Sequence, residues 1–230
     1  MPAFTTATIT MMMTTITDRT SLLHLLAWLS PAFPTGGFAY SHGLEWAVEV
    51  GDITDADTLQ AWLTDVLTHG SGRSDAILLR HGHRNVSEPV VLRDIAVLAL
   101  AATPSRERRD EALNQGRAFR LAVASWTDVP DDLPYAVAVG AAASRQGIPE
   151  DDTAVAYVQA FATNLISAAV RLVPLGQTTG LRVLSALQPV ILAVASETKA
   201  ATLDDLGGCA FRSDLAAMRH ETQYTRLFRS

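Results

Sequence analysis

Apolar residues recur three and four positions apart along almost the whole chain, and that spacing predicts helices. Leu22, Leu23, Leu25, Leu26, Trp28 and Leu29 open the pattern and run into Pro31 and Pro34, which cannot continue a helix. Leu59, Trp62, Leu63, Val66 and Leu67 mark one face of a later helix. Thr54 and Asp57 read as its capping arrangement, with Gly51 ending the helix before it. Gly70-Ser71-Gly72 breaks the chain, and Ile77, Leu78 and Leu79 place a short helix after the break. Pro89 suits the first turn of the next, which carries Val91, Leu92, Ile95, Leu98 and Leu100. Pro104 starts another, with Ala112, Gly116, Phe119, Val123 and Trp126 as its core face. Pro134 opens an alanine-rich helix that runs to Arg145.

Residues 153–173 are the most apolar segment. Gln159, Thr163, Ser167 and Arg171 fall four apart and form one narrow polar stripe on it. Such a helix is expected to lie centrally, packed on most sides. Leu181, Leu184, Leu187, Ile191 and Val194 predict the following helix, kinked at Pro189. A last helix is expected from Ser213, a plausible N-cap. Alternating strand-like runs are essentially absent, and no internal repeat is visible. The fold class expected is all-α: a single-domain bundle of about ten helices over residues 21–230. Residues 1–20, rich in threonine and methionine, read as a disordered extension, and Met11–Met13 leave a later start open.

Composition narrows the function. Of 230 residues, 48% are hydrophobic and only 18% charged, so the surface should have apolar area to share with protein partners or a second copy. The net charge of −6 with no basic stripe argues against nucleic acid. Residues 211–230 run the other way, four arginines against two carboxylates. A basic tail of that kind suits an acidic partner surface. The lone Cys209 forms no internal disulfide, which fits a reducing, cytoplasmic setting. No signal peptide or membrane span is expected.

No phosphate loop, dinucleotide fingerprint, zinc-protease helix or nucleophile elbow is present. Cys209 has no base nearby in sequence and reads as a structural thiol. His81 and His83, two apart, point to opposite sides of a helix. His24 sits in an apolar helix. His42 and His220 lack a second ligand at helical spacing, so no metal or cofactor site is expected. Gly116, inside a helical pattern, reads as a packing contact. Arg171 either bonds carbonyls at its helix end or serves a partner surface.

Three stretches stand out. Residues 30–45, SPAFPTGGFAYSHGLE, combine helix breakers with aromatics, so the loop should be pinned, and a side chain at Gly37 should disturb it. Residues 167–180 read SAAVRLVPLGQTTG, and residues 220–230 read HETQYTRLFRS. In this order the three resemble the urease accessory protein UreF family over residues 21–230. Thr35 and Trp46 depart from its pattern. The resemblance implies an all-α, dimerising, non-catalytic maturation chaperone. It would act with the scaffold UreD/UreH and the GTPase UreG on apo-urease. The complex would handle nickel and couple GTP hydrolysis to metallocentre assembly, with GTP bound by UreG. Partner-binding residues are expected at Phe38, Tyr40, His42, Glu45, Arg171, Gln177, Tyr224, Arg226, Leu227, Phe228 and Arg229, with residues 211–230 as the docking tail. Two rivals remain on sequence grounds: a helical regulator that binds DNA and a nickel storage protein.

Overall fold

The computed structural model describes residues 18–230. The extension expected at residues 1–20 lies outside the described residues, except that Arg19 and Thr20 already belong to the first helix. Ten α-helices and three 3-10 turns make up the described residues, with no strand among them. They are α1 (Arg19–Trp28), α2 (Leu44–Glu49), α3 (Ala56–His69), α4 (Ser71–Arg84) and α5 (Pro89–Ala101). The second half is α6 (Arg106–Val123), α7 (Tyr135–Arg145), α8 (Glu150–Leu172), α9 (Gln177–Glu197) and α10 (Phe211–His220).

Two apolar cores share one axle. The first gathers Leu25 and Trp28 of α1, Leu79 of α4, Ile95 of α5, Phe119 of α6 and the alanines of α7. The second gathers α2, α3, α9, α10 and Phe228. The first third of α8 buries Ala154 and Tyr157 in one core, and the rest buries Val158, Ala162 and Leu165 in the other. At 23 residues, about 34 Å by the helical rise, α8 is long enough to do both. The expectation that it is covered on most sides holds only in part, because Gln159, Thr163 and Ser167 of its polar stripe face an open cavity. By length and mean hydropathy α8 and α9 are each apolar enough to cross a membrane; half of that stretch of α8 and a third of that of α9 is buried in the fold.

Close helix crossings depend on small residues. A Cβ at Gly140 would sit 2.1 Å from Leu79 O, and one at Gly116 would sit 2.0 Å from Leu133 O. The packing reading of Gly116 therefore stands. A buried cation, Arg80, ties α4 to α8 and α9: it donates to Glu150 at 2.5 Å, Asp151 at 2.9 Å and Ala195 O at 2.6 Å.

Several boundaries differ from expectation. The α3 cap is Asp55, whose side chain accepts from Thr58 N while the Thr58 hydroxyl accepts from Asp55 N, so the box sits one residue later than Thr54/Asp57. Gly70 ends α3, but α4 restarts at once and runs 14 residues, no short helix. Ser105 caps α6, and Trp126 lies beyond its end, stacked edge-on to Trp28. Pro189 lies inside α9, which continues to Glu197. Helix α10 starts at Phe211 behind Ala210, ahead of Ser213.

The strained glycine of the first loop is not Gly37, whose added Cβ would meet nothing closer than 3.5 Å. It is Gly43, with φ +78° and a Cβ position 2.5 Å from Ala217 N in α10. Gly43→Ala combines left-handed strain with overpacking against a backbone that cannot yield. We expect it to destabilise the fold by about 2 kcal/mol or more, lowering Tm by roughly 4–8 °C. Gly37→Ala should lie within about 1 kcal/mol of wild type in the same thermal melt.

Candidate partner-docking site

The three sequence motifs meet in space. After α1 the chain turns through its prolines to a 3-10 turn at Gly37–Ala39, then Tyr40 and Ser41 run extended into α2. Two consecutive left-handed residues, His42 at φ +57° and Gly43, make the turn into the helix. The last five residues of the chain lie along this loop. Arg229 N donates to Ala39 O at 2.8 Å, and Ser41 N donates to Ser230 O at 2.8 Å. From the second stretch, residues 167–180, Arg171 donates to Phe38 O at 2.8 Å and lies 4.4 Å over the Phe228 ring. Its nitrogen Nε also donates to Ser167 O, as the carbonyl-bonding reading of Arg171 expected. The pinning of the loop comes from this chain's own tail.

Buried carboxylates hold the tail down. Glu45 of α2 accepts Leu227 N at 2.6 Å and Phe228 N at 2.9 Å, and also faces His220 Nε2 at 3.1 Å. Glu107 of α6 faces His220 Nδ1 and takes Arg226, each at 2.6 Å. Glu111, one turn on, accepts from Arg108, from Gln115 at 2.7 Å and from the Ser230 hydroxyl at 2.7 Å. Gln223 donates to Glu49. A carboxylate taken out of water is tolerable only when paired and hydrogen-bonded. Glu45, Glu107 and Glu111 each meet that demand in part with tail groups, so the tail belongs to the fold.

His42 sits beside this network. Its Nε2 lies 2.6 Å from Arg108 Nη1 and 2.7 Å from Glu111 Oε1. Nε2 serves one of the two at a time, and Nδ1 is buried without a partner. Burial and then the Arg108 charge push the His42 pKa down, against Glu111, so the ring is held neutral. Burial works to raise the Glu111 pKa, but Arg108 and His42 outweigh it and hold it at about 2.

The same side chains form one wall of a cavity of about 1270 Å³ between α1, α4, α6, α8 and α9. Leu22 and Leu26 line its apolar side; His42, Asp75, Glu111 and Tyr157 line its polar side. It exceeds the roughly 300–1,000 Å³ of small-molecule sites. Asp75, on α4, accepts from Tyr157 at 2.9 Å, and burial raises its pKa to about 6. Among the described residues no three His, Cys, Asp or Glu side chains converge as metal ligands.

The expected site residues separate into two groups. Tyr40, His42, Glu45 and Phe228 are buried at the junction, with Arg226, Arg229 and Arg171 around them. Phe38, Tyr224 and Leu227 present exposed rings and branches; Tyr224 is fully exposed. Gln177 is exposed at the start of α9, and no hydrogen bond joins it to the junction. The docking tail is thus divided: Phe228 and Ser230 are packed inward and are not free anchors. Outside the tail's end, α10 leaves Phe211, Leu215 and Met218 on its outer face, 71%, 54% and 47% exposed at three- and four-residue spacing. Sequence reasoning passed over Asp75, Glu107, Arg108 and Glu111, which look like ordinary solvated charges in a list of residues.

Asp75 gives a pH prediction. Its folded pKa is raised, so its contribution favours the fold below about pH 4 and is lost as pH rises through about 6. Asp75→Asn should therefore raise stability at pH 7–8 by about 1–2 kcal/mol, discounted for cavity water, and change little at pH 4. Urea unfolding at both pH values checks this.

Trp46, which departs from the expected motif, packs half-buried against the second core. Residues 53–188 match the UreF family. Urease accessory protein UreF of a Bradyrhizobium strain (BTAi1) is 50% identical over 224 residues, covering 93% of each chain. The protein of the same name from Bradyrhizobium diazoefficiens is 51% identical over 225 residues, again covering 93% of each. That from Cereibacter sphaeroides is 51% identical over 212 residues, 91% of this chain and 99% of its own. With identity of this level sustained over more than nine-tenths of its length, the chain belongs to the UreF family of urease accessory proteins.

Proposed function

We propose that this chain is a non-catalytic adaptor of urease maturation, which docks through α10 and the outer side of its tail on the UreD/UreH scaffold. The observation that carries the reading is the stripe Phe211–Leu215–Met218, an apolar helix face left uncovered beside exposed Tyr224 and Leu227. Aromatic, methionine and arginine side chains of this kind are the usual anchors of protein interfaces. Arg212 and Arg219 flank the stripe and suit an acidic partner. In the resulting complex the GTPase UreG binds GTP, its hydrolysis is coupled to assembly, and nickel is cargo delivered to apo-urease in the cytoplasm.

A homodimer is part of this proposal. The outer face of α9 offers Leu181, Ala186, Pro189, Leu192 and Ala193 with few charges, and Leu181 and Leu192 are 66% and 57% exposed. A face so poor in charge suits a second copy better than water. A nickel storage role, the rival reading, would need convergent ligands within the chain itself.

Phe211→Asp with Leu215→Asp tests the docking reading. The double variant should keep wild-type helical circular dichroism yet lose co-purification with co-expressed UreD/UreH by at least about tenfold, an interface anchor loss of 1.4 kcal/mol or more. Undiminished co-purification rejects α10 as the docking face. Leu192→Glu should shift sedimentation toward the monomer, and an unchanged dimer would remove α9 from the interface.

A further inference from the structure

We propose that His220 is a proton-operated latch: the carboxyl-terminal tail is seated while its imidazole carries two N–H groups and is released when it loses one. The argument starts from donor counting. His220 is completely buried, and both ring nitrogens face carboxylates, Nδ1 to Glu107 Oε2 at 2.6 Å and Nε2 to Glu45 Oε2 at 3.1 Å. Carboxylates only accept. A neutral imidazole has a single N–H and leaves its other nitrogen lone pair against a carboxylate lone pair, whereas an imidazolium serves both.

The charges around the ring give the same answer. Helix α2 brings Glu45, with Glu49 a turn further on and bonded to Gln223. Helix α6 brings Glu107, while Arg108 on the next position points to Glu111 and His42. The tail brings Arg226, bonded to Glu107, and Glu221, which accepts from Arg106 N. On its own helix, Arg219 is exposed, and Asp214 lies within the field of Arg108. The group Glu45, Glu107, Arg226 and His220 is neutral with an imidazolium and carries an unbalanced buried negative charge without it.

The consequence reaches the tail because the two acids that clamp His220 are also its anchors. Glu45 accepts Leu227 N and Phe228 N, and Glu107 holds Arg226. Loss of one proton sets Glu45 or Glu107 against a nitrogen lone pair, and the least costly relief is to move the tail and admit water. The latch does not depend on which protein docks outside it.

The test is backbone amide exchange in the tail of the full chain, corrected for the intrinsic rate at each pH, from pH 5.5 to 8.5. The seated form holds one more proton than the released form, so protection at Leu227 and Phe228 should fall with rising pH, by up to tenfold per unit, over the range in which the ring's NMR signals report loss of that proton. Protection in α8 should not change over the same range. His220→Gln should abolish the pH dependence and leave the tail poorly protected throughout. Glu107→Gln should do the opposite: its amide donates to Nδ1 of a neutral ring while its carbonyl still accepts from Arg226, so the tail stays protected at high pH. A flat wild-type profile overturns the proposal. So does a slope that persists in Glu107→Gln, which is also the readout should His220→Gln fail to fold.

Discussion

A carboxylate buried in a helical protein must be surrounded by donors, and Glu45 is the point at which that rule shapes this molecule. It is 8% exposed and lies on a six-residue helix that supplies no donors of its own for it. The donors come from 182 and 183 positions away, the amides of Leu227 and Phe228, and from the His220 ring. Hydrogen bonds to a charged group are worth roughly 1.5–3 kcal/mol each, and a donor-stripped carboxylate costs more than that. Helix α2 and the tail are therefore held together by a charge that α2 cannot satisfy alone.

The rest of the junction is arranged to make that approach possible. Gly43 lets the loop lie against the α10 backbone, Arg171 covers Phe228 from α8, and Ser41 receives the terminal Ser230. With the tail's inner side occupied in this way, its outer side and the α10 stripe remain exposed. The fold and the proposed docking surface thus use opposite faces of the same ten or so residues.

The helices were legible in the sequence because each obeys local rules: three-and-four spacing for α3, α5 and α6, prolines at the starts of α5 and α7, and left-handed Gly51 and Gly147 behind helix ends. The α3 cap slipped by one residue because Thr54, Asp55 and Thr58 are all competent side chains and only the backbone angle chooses among them. Helix α4 looked short because its glycine, arginines and histidines break the apolar pattern; Gly82 and Arg80 are there for a tight crossing with α7 and for the acids of α8. The candidate site was legible as three motifs, but not as one place. In an extended tail alternate residues face opposite ways, and nothing local says that Phe228 and Ser230 turn inward while Leu227 and Arg229 turn outward. That choice is made by Glu45 and Glu111, remote in sequence and unremarkable in composition.

The most direct test is a double-mutant cycle between Glu45→Gln and deletion of residues 227–230, read by urea unfolding of the full chain and the three variants. If the buried carboxylate exists to receive the tail, the cost of Glu45→Gln should shrink once the tail is gone, with a coupling energy of at least about 1 kcal/mol. Strict additivity, within about 0.3–0.5 kcal/mol, would contradict the account.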